Sequence, residues 1–110
     1  MPIIIDKKLI TLESQLLLSV QRALLDEIDP NLRAVKIDWD ETKEIIYLYF
    51  YFDGLITPEN LNSASCAAGE TAGDFLPEVR VIENCIRVDS PKEIPSHKLV
   101  AFRRKEQKMS

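Results

Sequence analysis

At 110 residues the chain has the size of one domain, and its 45% apolar content is ordinary for a globular protein. No apolar run reaches the roughly 18 residues that a membrane span needs. The opening MPIIIDKKLI lacks the apolar stretch and small-residue cleavage site of a secretory signal. Two cysteines make no disulfide framework, so a cytoplasmic protein is the expectation.

The formal charge of −4 is unevenly spread. Residues 1–80 carry seven Lys/Arg against fourteen Asp/Glu, net −7, and residues 81–110 carry seven against four, net +3. An acidic body argues against binding nucleic acid over a broad surface, because phosphate contacts need clustered cations. It suits docking onto a basic protein, and it equally suits plain solubility.

In chain order, Ile3, Ile4 and Ile5 suit either a short edge strand or packing beneath the first helix. Thr11 reads as a helix N-cap. From Leu12, apolar residues at Leu16, Leu17, Val20, Ala23, Leu24 and Ile28 make one helical stripe. The spacing predicts a helix that stops at Asp29-Pro30-Asn31. Residues 34–39 alternate Val35, Ile37 and Trp39 against Lys36 and Asp38, the pattern of a half-buried strand. Asp40 to Lys43 is a hairpin connection. It leads into EIIYLYFYFD, residues 44–53, the most strand-like stretch of the chain. Ile46, Leu48, Phe50 and Phe52 should face the core, with Ile45, Tyr47, Tyr49 and Tyr51 on the opposite face.

Thr57-Pro58-Glu59 opens a second helix, predicted from Pro58 to Thr71 with an inward stripe of Leu61, Ala64, Ser65, Ala68 and Ala72. Residues 78–89 read as a third strand of ambiguous parity. Ile82, Ile86 and Val88 share one face, and Val79, Val81 and Cys85 share the other with Glu83 and Arg87. Residues 90–96, with Pro91 and Pro95, form a link, and residues 98–104 form a fourth strand. The basic tail reads as solvated, with residues 105–110 frayed. The expected architecture is α+β: one domain over residues 1–110, in the order α-β-β-α-β-β. Two hairpins make a four-stranded antiparallel sheet with two helices on one face.

No catalytic or metal motif accompanies this pattern. His97 is the single histidine, and the cysteines lack the paired spacing of a zinc site. His97 is expected to be exposed, and Cys66 and Cys85 to be buried apolar residues. No glycine-rich phosphate cradle exists, and no cofactor is implied. The best functional signal is the open sheet face. There Tyr47, Tyr49 and Tyr51 supply contact area and hydroxyls, and Asp38, Asp40, Glu41 and Glu44 supply charge for a protein partner. Self-association through the same face, as a homodimeric module, and a small enzyme built on a carboxylate pair are the alternatives.

RALLDEIDPNLRAVKIDWD, IYLYFYFDG, ENCIRVDSPKEIP and LVAFRRKE, spread over residues 22–106, resemble small bacterial immunity proteins. These accompany polymorphic toxins of the contact-dependent growth inhibition type. The resemblance implies an α+β protein without enzymatic activity that binds and neutralises a cognate toxin domain. The matching pieces are strands and turns, and no site residue is carried over from them. The small-residue stretch SASCAAGETAG departs from the group, where more charge is expected.

Overall fold

The computed structural model describes residues 11–106; the Ile3–Ile5 cluster and residues 107–110 lie outside them. Six elements follow in the predicted order: α1 (Leu12–Ala23), β1 (Leu32–Asp40), β2 (Ile45–Phe52), α2 (Pro58–Gly73), β3 (Arg80–Arg87) and β4 (Leu99–Arg103).

Thr11 caps α1 by accepting from the Ser14 N–H. The helix ends at Ala23, earlier than the leucine stripe predicts. Leu24 is the last residue of the stripe to reach the core, whereas Leu25 and Ile28 are exposed. With nothing further to bury, the chain turns through a positive φ at Asp26 towards β1. Helix α2 begins with a capping box of Thr57 and Asn60, an arrangement that stabilises a helix start by about 1 kcal/mol. Its buried residues are Asn60, Ala64, Ala67, Ala68 and Thr71, so the inward face is rotated from the predicted one and Leu61 is exposed. The reason is polar. The Asn60 side chain accepts from Thr57 N–H and pairs reciprocally with the Asn31 amide, and its amide group also donates to Asp29. This ties the start of α2 to the entry of β1.

The sheet is mixed, which corrects the all-antiparallel expectation. Its order is β3-β2-β1-β4. β1 pairs antiparallel with β2 and with β4, but β2 pairs with β3 in parallel. The sixteen-residue α2 carries the chain back along the sheet, so β3 starts at the same end as β2. β3 and β4 therefore point the same way on opposite edges and cannot form the second hairpin. Residues 88–98, between β3 and β4, must return along the sheet and across two strands. That return needs roughly 30 Å, and a segment of this length spans about 36 Å when extended. The strap lies on the face away from the helices, where it bonds to side chains of β1 and β2.

The other face carries the core. Leu16, Val20, Ala23 and Leu24 of the first helical segment and Ala64, Ala67 and Ala68 of α2 pack on Val35, Ile37, Ile46, Leu48, Phe50 and Phe52. Each large apolar side chain so enclosed contributes about 1.5–3 kcal/mol. The parity of β3 is settled by its register. Val81 and Cys85 stand beside Ile46 and Phe50 on the helix side, and Ile82 and Ile86 stand beside Tyr47 and Tyr51 on the strap side. No bulge is needed to place them. Cys85 is half-buried, with burial pushing its thiol pKa up, but Cys66 is exposed on α2, contrary to expectation.

Candidate protein-binding face

Alternation along β2 puts Tyr47, Tyr49 and Tyr51 on the strap side, across from Asp38, Lys36 and Ala34 of β1. The three tyrosines differ in what the strap leaves of them. Tyr51 is only 2% exposed. Its hydroxyl lies 2.6 Å from His97 Nε2, and His97 Nδ1 lies 2.7 Å from Asp38 Oδ2. With a carboxylate as its neighbour, Nδ1 carries the proton and donates. In the neutral ring Nε2 then accepts from the Tyr51 hydroxyl. The imidazole also stacks on Tyr49, centroid to centroid at 4.1 Å. The Lys98 N–H donates to Asp38 Oδ1, which fixes the end of the strap. Burial, then the charge of Asp38, raises the pKa of Tyr49; burial, then Tyr49, raises that of Tyr51.

His97 is thus not the exposed histidine that its place in the sequence suggests; its side chain is 11% exposed. A carboxylate, an imidazole and a hydroxyl in a row resemble a proton relay, but the row ends on a phenol enclosed by the strap. It works as a latch that holds the strap to the sheet. Replacing His97 by alanine should cost about 2 kcal/mol, because Tyr51 and Asp38 both lose a partner, and Tyr51→Phe about 1 kcal/mol. Urea denaturation of the two variants measures this; equal midpoints for both variants and the parent would refute the latch.

Of the seven residues that the sequence marks for partner contact, the strap takes Tyr51 and Asp38 for its own anchoring. Tyr49 is half-buried under the imidazole. Asp40 accepts from the Lys43 N–H in the hairpin turn. Tyr47 stays half-buried 6.5 Å from Tyr49, and Glu41 and Glu44 are exposed. On this face β3 adds two residues that the sequence does not mark for partner contact, Ile82 beside Tyr47 and Ile86 beside Tyr51, at 37% and 36% exposure. The uncovered part of the face therefore runs as a strip along β3, from Tyr47 and Ile82 next to the acidic hairpin, past Asn84 beside Tyr49, to Ile86 beside Tyr51. Glu83, on the helix side of the same edge strand, has its carboxyl pKa raised by burial.

The profile of the MafI2 immunity protein family matches residues 13–106. The chain belongs to this family. The match runs from α1 to Glu106 and so takes in the whole sheet, the strap and the latch. It bears out the resemblance to small bacterial immunity proteins. No curated protein matches the chain. Among the described residues no helix is long and apolar enough to cross a membrane, and no cluster of three or more His, Cys, Asp or Glu side chains is arranged to hold a metal ion.

Proposed function

We propose that this protein confers immunity in the cytoplasm by binding the C-terminal domain of a cognate toxin and covering that domain's active or substrate-binding surface. Membership of an immunity protein family carries this reading. The strip of Tyr47, Ile82 and Ile86 is the contact centre, since aromatic and aliphatic side chains exposed together lose water on docking. Glu41 and Glu44 at its border steer a basic partner onto it. Tyr51 and Asp38 act indirectly, by holding the strap that shapes one side of the strip. Enzymatic activity plays no part in this mode of action; neutralisation is by occupancy.

Co-expression with the cognate toxin domain tests the proposal, with growth and measured affinity as readouts. Tyr47→Ala combined with Ile82→Ala should weaken binding about 10- to 100-fold, the range for truncating a contact centre. Glu41→Gln with Glu44→Gln should slow association and flatten its salt dependence. A chain that folds normally yet neither binds the toxin domain nor restores growth would sink the proposal. Binding that ignores all four substitutions would move the contact to another surface.

A further inference from the structure

Beneath the strap lies a polar hollow of about 390 Å³, walled by β1, the strap and the end of β4. Four cations line it, Arg33, Lys36, Lys92 and Arg103, against two acids, Glu93 and Glu106. The local excess is two positive charges in a protein whose net charge is −4. Arg33 and Glu106 satisfy one another at 2.7 Å. Lys36 is different. It is 6% exposed, and its ammonium has one hydrogen-bond partner among the described residues, the carbonyl of Pro95 at 2.6 Å. Arg103 likewise has no ion-pair partner among them. A buried ammonium has three N–H donors and ordinarily finds an acid to pair with. Here burial, then the charge of Arg103, pushes its pKa down, against a smaller opposing pull from Glu93.

We infer that this hollow is a binding site for a small divalent oxyanion, held between Lys36 and Arg103. A dianion cancels the local excess of two charges, takes up idle Lys36 donors, and gives the fork of Arg103 two oxygens to grip. The Ser96 residue in the same wall offers a hydroxyl as a further donor. Monovalent chloride, with one charge and no fixed acceptor geometry, leaves half of the excess unmet. The site is separate from the strip assigned to toxin contact, although both adjoin the strap.

Inorganic phosphate is the probe, titrated into the full chain at pH 7.5 and constant ionic strength while backbone amide resonances are recorded. Saturable shifts confined to Lys36, residues 92–96 and Arg103 are expected. Arg103→Gln, at an exposed position that anchors nothing in the strap, should weaken phosphate binding at least about tenfold with little change in melting temperature. Lys36→Met should weaken it as much, and the amide spectrum shows directly whether that variant is folded. Shifts that stay linear with phosphate, or an unchanged affinity in Arg103→Gln, would overturn the assignment.

Discussion

Replacing Arg33 by alanine is expected to destabilise the protein by about 3–5 kcal/mol, the cost of breaking a buried ion pair from one side. The guanidinium is 4% exposed and uses three of its nitrogens. Nε and Nη2 donate to the two carboxylate oxygens of Glu106, and Nη1 donates to the carbonyls of Val88 and Lys92. One side chain thereby joins β1, the near end of the strap and the segment after β4. Truncation leaves two strap carbonyls without their donor and takes from the Glu106 carboxylate both Arg33 bonds, so that Arg104 alone still holds it. Lysine preserves the charge but not the fork, so Arg33→Lys should recover only part of the loss. Since small domains are stable by about 5–15 kcal/mol in total, the alanine variant should show a large drop in its urea midpoint. Its strap amides should exchange faster than those of β1 and β2. A loss below about 1 kcal/mol would show that the strap holds without this anchor.

The importance of Arg33 was hidden in the sequence for a specific reason. Read alone, it is one polar residue before an alternating strand, and nothing local distinguishes it from a solvated arginine. Its partners lie 55 to 73 positions away, on a segment whose path depends on the parallel pairing of β3. The same holds for His97, whose latch partners Asp38 and Tyr51 are 59 and 46 positions distant. Features governed by periodicity were legible: the alternation in β1 and β2, the Thr11 and Thr57 caps, and the core face of Phe50 and Phe52. Strand order was not, because two strands joined by a proline-containing link read as a hairpin until something shows which way each one runs. Once β3 is placed parallel to β2, the strap, the covering of Tyr51 and the exposure of Ile82 follow together. The tyrosine stripe was thus visible in the sequence, but which half of its face remains open was not.

Acid should remove a second large share of stability, through Glu106. This residue falls in the stretch that the sequence suggests is frayed, yet Arg33 and Arg104 both grip it, at 2.7 Å and 3.0 Å. Hydrogen bonds from Arg33 do most to bring its carboxyl pKa down to about 2 from the ordinary 4.5, against the opposing effect of burial and with help from Arg104. The unfolded chain therefore binds a proton at this site between about pH 4.5 and 2 while the folded chain does not. Stability from this source is fully present above pH 4.5 and is lost as pH falls towards 2. The difference corresponds to about 3 kcal/mol. Asp38 adds in the same direction. Burial opposes the shift there, but the bonds from the Lys98 N–H and from His97 outweigh it, so its pKa too is lowered. Glu83 acts the other way, since burial raises its pKa and the folded state is the better proton acceptor there. Urea midpoints of the parent and of Glu106→Gln, measured from pH 7 down to pH 2.5, isolate the Glu106 contribution. The parent should be more stable by about 3 kcal/mol at pH 7, and the two curves should draw together as Glu106 itself takes up a proton. Curves that stay parallel over the whole range would mean that the Arg33 grip on Glu106 adds no net stability.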